Sequence, residues 1–451
     1  MGDMFARLAG VALVAFALGW ACSGDAVDPN PGSPGTTVTP TLSPPAPSPT
    51  PTATPTAAGE ALPTPTPPSA PSRQLGTRTV ETTARPPDFD PLPGASAHFG
   101  QLGDAVYRIE IPRDWNGDLV LWAHGFRDFG TEVRVSSPPR ALREALIAEG
   151  YAWAASSYSE NGYTPGIGAD DTLALKRFFV DQFGEPARTY IVGASMGGNV
   201  VVLSLEHFDG EYDGGLSLCG AVGGQEQIDY LLTWAMVAEF VTGASLPIGQ
   251  GQAAMGATML GTVLPALGEP AAPTEAGRRF ANIMMHFTGG PRPFFQEGFE
   301  EQFLLNFGYI MSDPDRQLLV SRAATNIDHV YHIDPGFGLT DDELNAGVRR
   351  LPADPLARDA DRHPDAVPTT GRLTAPLLSL HGTGDLFVPI HMEDSYREKA
   401  AAAGVAHLLV QRASDAPGHC TFTDDEVVTA WHDLVAWVEE GVVPDGWWYR
   451  D

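Results

Sequence analysis

Apolar runs of strand length alternate with helical patterns along the chain from Leu119 onward. The predicted strands cover residues 119–124, 152–158, 189–195, 215–222, 376–382 and 407–413, and the predicted helices cover 138–149, 170–183, 197–208, 393–403 and a stretch after Thr423. Thr423 and Glu426 have the spacing of a capping box, which marks the start of that last helix. This alternation is typical of an α/β protein, and it predicts a mostly parallel open sheet with helices on both faces.

A long helical segment interrupts this alternation between residues 225 and 372. Ile228–Val241 and Phe294–Ile310 are rich in Leu, Phe, Trp and Met, whereas Gly249–Gly268 is rich in Gly, Ala and Met. We therefore predict a core formed by residues 73–224 and 373–451, with residues 225–372 inserted as a large, mainly helical cap. The apolar side chains of the cap either line a substrate pocket or form the cap's own core.

The N-terminus has the pattern of an export signal. Fourteen apolar residues from Leu8 to Ala21 precede Cys22, and as a helix they span about 21 Å, less than the roughly 30 Å of a bilayer core. We predict that residues 1–22 are a signal peptide. Ala21-Cys22 resembles a bacterial lipoprotein signal, which implies lipidation of Cys22, and simple secretion is the alternative. Either way, the predicted location is extracytoplasmic.

Residues 23–72 contain 15 of the 40 prolines of the chain, together with many Ser, Thr, Gly and Ala residues. Such a segment has almost no apolar surface to bury, so it cannot offset the entropy cost of ordering. The composition predicts a disordered tether between the N-terminus and the folded body.

The net charge is −29, from 56 acidic and 27 basic residues. Binding to phosphate groups requires clustered Lys and Arg, so this balance argues against a protein that binds nucleic acid or anionic lipid by charge. Contact with a membrane is then expected only through a lipid anchor at Cys22.

The segment Ile191–Gly198 (IVGASMGG) places a serine between a predicted strand and a predicted helix. Gly193 and Gly197 lie two residues before and after Ser195, where the absence of a Cβ lets the strand and the helix approach closely. The N–H groups at the start of the helix favour negative charge that develops beside the serine. The pattern indicates a nucleophilic serine.

Two more residues with suitable chemistry follow the last two predicted strands. Asp385 lies in the segment HGTGDLFVP, and His419 lies in APGHCTFT. The carboxyl ends of parallel strands form one edge of a sheet, where a Ser, a His and an Asp can form a proton relay. The sequence also offers alternatives, which are Asp394 and Asp415 for the acid and His381, His391 and His407 for the base.

Together these motifs resemble the α/β-hydrolase superfamily over residues of about 100–224 and 373–441. The resemblance is closest to bacterial exported esterases and prolyl-oligopeptidase-like hydrolases. It implies the α/β-hydrolase fold, with Ser195 as the nucleophile, His419 as the base and Asp385 as the residue that orients the histidine.

The same resemblance extends to the segment His124-Gly125-Phe126, which matches the H-G-x oxyanion loop. It implies that the backbone N–H groups of Phe126 and Met196 face the oxyanion. Tyr158 and Tyr163, next to and within the Gly-rich segment 160–168, are candidate substrate contacts.

The expected function is that of a serine hydrolase that cleaves small or polymeric carboxylic esters and needs no cofactor. A peptidase or amidase of the same fold is an alternative. A non-catalytic surface binding protein that keeps the scaffold is another.

Cys219 and Cys420 are the remaining thiols if Cys22 carries a lipid. We predict that in an oxidising compartment they form a disulfide that holds the His419 loop to the sheet. Two buried free thiols are the alternative. Asp328, His329, His332 and Asp334 lie close together in the sequence, but nothing nearby completes a recognisable ligand set, so we expect no metal site.

Overall fold

The computed structural model describes residues 60–61, 82–84, 89–127, 130–312, 323–359 and 367–448. The predicted signal peptide, Cys22 and most of the predicted tether lie outside these ranges. Within them, no helix has both the length and the apolar character needed to span a bilayer.

Thirteen strands are described, with bounds β1 Glu60–Ala61, β2 Thr83–Ala84, β3 Ala95–Leu102, β4 Ala105–Pro112, β5 Leu119–Ala123, β6 Glu132–Val133, β7 Ala152–Ser156, β8 Thr189–Ala194, β9 Gly214–Leu218, β10 Gly268–Glu269, β11 Ala272–Pro273, β12 Leu377–Gly382 and β13 Leu409–Ser414. Eleven α-helices accompany them in the described part of the chain, with bounds α1 Arg140–Ala148, α2 Pro165–Phe183, α3 Met196–His207, α4 Glu226–Thr242, α5 Gln252–Thr258, α6 Leu264–Leu267, α7 Glu275–Phe287, α8 Phe295–Ser312, α9 Asp341–Gly347, α10 His391–Ala402 and α11 Asp424–Glu440. A π-helical turn, Met259–Val263, joins α5 to α6.

Nine strands form the central sheet in the order β1-β3-β4-β7-β5-β8-β9-β12-β13. Strand β4 is antiparallel to both of its neighbours, and the other pairs are parallel. From β3 onward, this order, with its antiparallel second strand, is that of the α/β-hydrolase fold. The fold predicted from the sequence is therefore confirmed. The β3–β4 hairpin was not predicted, and Glu60–Ala61 within the predicted tether pairs with β3.

The central strands of the sheet, β7, β5, β8, β9 and β12, are buried on both faces, as their continuous apolar sequences require. In β5, Leu121 packs into one cluster of buried side chains and Trp122 packs into the other. Helices α2 and α3 cover the first face with residues such as Phe179. Helices α1 and α11 cover the second face, where Trp431 packs. This confirms the prediction of helices on both faces.

The last helix begins where its capping box predicts. The Thr423 side chain accepts a hydrogen bond from the backbone N–H of Glu426, and the Glu426 carboxylate accepts one from the backbone N–H of Thr423. Helix α11 packs on β9 and β12. Its first residue therefore fixes the end of the loop that follows β13.

Helices α4 to α9 lie between β9 and β12, in the segment predicted to form the insertion. Their interior is a cluster of aromatic rings, in which Trp234 and Phe280 lie 4.9 Å apart and Phe303 and Phe307 lie 5.1 Å apart. Two helices of this segment, α7 and α9, were not predicted. Tyr309 of α8 contacts Phe126 and Phe387 at the carboxyl edge of the sheet, so the segment covers that edge.

Candidate active site

Ser195 lies in the turn between β8 and α3 and has a φ of 60°, a left-handed conformation that is costly for a residue other than glycine. A Cβ atom at Gly193 would lie 2.3 Å from the carbonyl oxygen of Gly197, and one at Gly197 would lie 2.0 Å from that of Ala123. Both distances are far below van der Waals contact. The turn therefore requires glycine at both positions, because only a residue without a Cβ lets the strand and the helix approach this closely.

The structure brings Ser195, His419 and Asp385 together from three different strand ends. Ser195 Oγ lies 2.8 Å from His419 Nε2, and His419 Nδ1 lies 2.6 Å from Asp385 Oδ2. The Asp385 carboxylate is fully buried, and its other oxygen accepts hydrogen bonds from the backbone N–H groups of Phe387 and Val388, both at 3.0 Å. These contacts fix the orientation of the carboxylate toward His419.

The alternative acids and bases lie elsewhere. Asp394 is on α10 and accepts a hydrogen bond from the Trp448 indole, and Asp415 is exposed. His407 is exposed on a short 3₁₀ turn, and His391 packs against Phe287. His381 is fully buried behind Asp385.

The segment after β5 passes close to Ser195. A Cβ atom at Gly125 would lie 3.1 Å from the Ser195 Cβ, so glycine allows the close approach. The His124 ring lies 3.0 Å from the Ser157 carbonyl oxygen through Nε2 and stacks on Tyr158 with 3.9 Å between ring centres. Burial, with a smaller contribution from the charge of Arg127, lowers the pKa of His124 to about 3. His124 is therefore neutral and serves to anchor the loop.

Tyr158, predicted as a candidate substrate contact, does not reach the surface of the site. Its side chain is fully buried, and its hydroxyl donates a hydrogen bond to the His124 carbonyl oxygen at 3.0 Å. It therefore supports the loop from behind. Tyr163, the other candidate, lines the cavity beside Ser195.

A small, mainly apolar cavity lies next to Ser195. Besides the serine it is lined by Phe126, Tyr163, Met196, Ala221, Gln227, Ile228, Leu231, Tyr309, Phe387 and Val388. Core and inserted helices both contribute to this lining, and the two residues expected to supply the oxyanion donors are among them. The surroundings of Ser195 suit an uncharged, apolar group.

Cys219 and Cys420 form a disulfide, with their Cα atoms 5.2 Å apart. Cys219 follows β9 and Cys420 follows His419 directly, so the bond ties the histidine loop to the sheet. Both residues have positive φ, 46° and 58°.

Among the described residues, the one group of three potential metal ligands close enough to share an ion is Cys219, His419 and Cys420. Its two sulfur atoms are bonded to each other, which removes the thiolates that zinc would require.

The residues considered as a metal cluster from the sequence have separate partners. His329 bonds to the hydroxyl of Thr233, and His332 pairs with Asp341. Asp334 pairs with His286.

Sequence reasoning missed one residue that organises the site. Gln302 of α8 is buried, and its Oε1 accepts hydrogen bonds from the N–H groups of Leu386 and Phe387 at 3.0 and 2.8 Å. Its Nε2 donates to the carbonyl oxygens of Gly384 and Pro417 at 3.0 and 3.1 Å. One amide therefore connects the loop of Asp385 to the loop of His419.

Gly298 of α8 allows this contact. A Cβ atom there would lie 1.8 Å from the Gly384 carbonyl oxygen, so the helix packs with its backbone directly against the loop of Asp385. A glycine inside an otherwise helical pattern was the one available signal, since such a position marks a close approach.

No protein-family model matches the chain. A segment of 124 residues is 27% identical to an o-phthalyl amidase from Xanthobacter agilis and spans 27% of this chain and 26% of the amidase. Among solved structures, the chain is similar to feruloyl esterase B from Aspergillus oryzae, with 15% identity, a TM-score of 0.42 and coverage of 78% and 82% of the two chains. It is also similar to an esterase from Pyrococcus furiosus, with 13% identity, a TM-score of 0.37 and coverage of 81% and 98%. An acylaminoacyl peptidase from Pyrococcus horikoshii shows 10% identity and a TM-score of 0.40, with coverage of 80% and 44%.

Proposed function

We propose that the chain is an extracytoplasmic serine hydrolase that cleaves carboxylic esters through an acyl-enzyme. The observation that carries the proposal is the continuous contact from Ser195 Oγ through the His419 ring to the Asp385 carboxylate. Nucleophile, base and orienting acid are the three parts that acyl transfer through a serine requires.

In the proposed reaction, Ser195 Oγ forms a bond to the carbonyl carbon of the substrate while His419 Nε2 takes the hydroxyl proton. The tetrahedral intermediate then expels the alcohol, which receives that proton from His419. A water molecule then attacks the acyl carbon and gives a proton to His419. The bond from that carbon to Ser195 Oγ breaks, Oγ takes the proton back from His419, and the acid is released. Asp385 stabilises the imidazolium in both halves of the reaction.

The apolar lining of the cavity supports a neutral acyl or aromatic group in the substrate. The net charge of −29 disfavours strongly anionic substrates and nucleic acid. The substrate class proposed is a small or polymeric ester, and no cofactor takes part in the steps above.

An amidase is the second candidate, and the similarity to the o-phthalyl amidase favours it. The same three residues can cleave an amide when His419 protonates the leaving nitrogen.

A pair of substrates with one acyl group, a p-nitrophenyl ester and a p-nitroanilide, tests both candidates. We expect the ester to be cleaved faster, and Ser195→Ala and His419→Ala to lower kcat/KM at least about a thousandfold. The matched control is His407→Ala, because His407 is exposed and on a surface turn. Faster cleavage of the anilide would favour the amidase, whereas full activity in Ser195→Ala would contradict both candidates.

The apolar segment Leu8–Ala21 and the Cys219–Cys420 disulfide support export to an oxidising compartment. We propose that Cys22 becomes the lipidated N-terminus, which anchors the chain to a membrane. The intact mass of the mature protein from cells tests this. A chain that starts beyond Cys22 and carries no lipid would contradict it.

A further inference from the structure

A second histidine lies behind the proposed acid. His381, at the end of β12, is fully buried and takes no part in the path from Ser195 to Asp385. Its Nε2 lies 2.8 Å from the Val388 carbonyl oxygen and 3.7 Å from Asp385 Oδ2. Its Nδ1 lies 3.3 Å from Glu393 Oε1, so the ring stands between two buried carboxylates.

Glu393 is held as firmly as Asp385. It is fully buried on α10, its Oε1 accepts a hydrogen bond from the Ser379 hydroxyl at 2.6 Å, and its Oε2 accepts one from Gln411 Nε2 at 2.6 Å. Donors of this kind suit an ionised carboxylate. Within the described residues, the side chains that form ion pairs with Asp385 or Glu393 are His381 and His419 alone.

Two buried carboxylates this close to one ring require a compensating positive charge, because an uncompensated buried charge is very costly. Nε2 of His381 lies at hydrogen-bond distance from the Val388 carbonyl oxygen, whereas Nδ1 lies within ion-pair distance of the Glu393 carboxylate but has no well-aligned hydrogen bond to it. The imidazolium carries a charge that both carboxylates attract, whereas a neutral ring offers an N–H on one side only.

The electrostatic surroundings agree with this geometry. Burial by itself lowers the pKa of His381. The negative charges of Glu393 and Asp385 and the hydrogen bond to the Val388 carbonyl raise it by more, so the pKa lies above its usual value. The charged groups that face the ring are Glu393 from α10 and Asp385 from the loop after β12.

We propose that His381 is a positioning residue: a buried imidazolium that neutralises Glu393 and keeps the neighbouring Asp385 ionised for His419. The proposal rests on the proposed function in its second half, since Asp385 must be an anion to stabilise the His419 imidazolium. It gives His381, which the sequence offered as an alternative base, a role other than that of the catalytic base.

The first experiment reads the charge directly. In Ser195→Ala protein labelled with ¹⁵N-histidine, we expect one buried ring with both nitrogens protonated at pH 7 and above, and His381→Gln removes that signal. This measurement does not depend on hydrolase activity, so it stands even if the proposed function fails. A His381 ring with one proton at pH 7 would overturn the proposal.

The second experiment compares the pH dependence of kcat/KM for the ester in four proteins. In His381→Gln, we expect the acid limb to move toward higher pH by about one unit, because a cation near a carboxylate stabilises its ionised form by this order. Activity then falls about tenfold more at pH 6 than at pH 8. In His381→Gln with Glu393→Gln, one charge of each sign is removed and the limb returns toward that of the wild type. The control His407→Gln leaves the profile unchanged.

A purely structural role predicts a different result. His381→Gln would then lower activity by one factor at all pH values, with no recovery in the double variant, and that outcome would overturn the proposal. If His381→Gln does not fold, the His381 ring is assigned in the Ser195→Ala protein through its backbone resonances, and its ¹⁵N shifts decide alone.

Discussion

The carboxyl edge of the sheet around Ser195 and the interior of the inserted helices are held together in different ways. At the edge, backbone packs on backbone: a Cβ at Gly197 would lie 2.0 Å from a carbonyl oxygen, and Ser195, Cys219 and Cys420 all have positive φ. The interior of the insertion is mainly a cluster of aromatic side chains, such as Trp234 and Phe280. A backbone contact as close as those at the edge occurs there at Gly277, where a Cβ would lie 2.1 Å from the Leu267 carbonyl oxygen. Backbone contacts of this kind leave no room for an added atom, whereas a cluster of side chains can rearrange.

The two regions meet at Gln302, which belongs to the insertion but bonds to the loops of Asp385 and His419. Helix α8 therefore does more than cover the cavity. It forms part of the support that aligns the acid with the base, so any opening of the insertion that moves α8 also disturbs the relay.

Among the changes that compare the two regions, Gly197→Ala gives the largest expected effect, because the added methyl group overlaps the Ala123 carbonyl oxygen and displaces the turn of Ser195. A displacement of about 1 Å at a reacting group costs about 100-fold in rate, so we expect kcat/KM to fall by at least that factor. The matched variant in the insertion is Gly256→Ala, where no atom lies within 4 Å of the new Cβ. It is expected to keep full activity and to gain up to about 1 kcal/mol of stability. Equal behaviour of the two variants would remove the contrast between the regions.

Removal of the disulfide gives the next largest effect. We expect Cys219→Ser with Cys420→Ser to lower the free energy of unfolding by about 2–4 kcal/mol, since the bond closes a loop with a sequence separation of 201 residues. Denaturant unfolding with and without reductant measures this: the wild type shifts on reduction and the double variant does not. Coincident unfolding curves for the oxidised wild type and the variant would show that the bond adds no stability to the edge of the sheet.

Gln302→Leu tests the connection between the regions and gives the smallest of these effects. The change leaves the N–H of Leu386 and the carbonyl oxygens of Gly384 and Pro417 without this partner, and we expect kcat to fall about tenfold. Gln296→Leu on the same helix is the control, because Gln296 is exposed and bonds to Glu300. If both variants keep wild-type kcat, α8 does not position the loops.

Much of the core could be predicted because its signals are local. The segment around Ser195 places a buried strand, two glycines and a helix in direct succession, and each feature follows from its own few residues. The order of Ser195, Asp385 and His419 along the chain then places all three at one edge, because parallel strands share their carboxyl side.

The β3–β4 hairpin was missed because charged residues interrupt its apolar pattern. Glu110 of β4 is fully buried, and it pairs with Arg143 of α1 at 2.8 Å. A buried carboxylate in a strand is compatible with the core only when its partner is in place, and that partner is 33 residues away. The sequence of β4 therefore has a polar pattern although the strand is buried in the structure.

The helix α7 had a local signal that was not used. Thr274 caps it, and Phe280, Ile283 and Met284 lie on its buried face at helical spacing. Gln302 and His381 differ from it, because what they do depends on how α8 and α10 approach the sheet. No short segment of the sequence contains that information.

The most direct test of the central claim is the location of a covalent adduct after treatment with a fluorophosphonate, which reacts with an activated serine. The relay of Ser195, His419 and Asp385 predicts one adduct per chain, assigned by peptide mass spectrometry to Ser195 and absent from His419→Ala under the same conditions. A folded wild-type chain that carries no adduct, or carries it on another residue, would contradict the account.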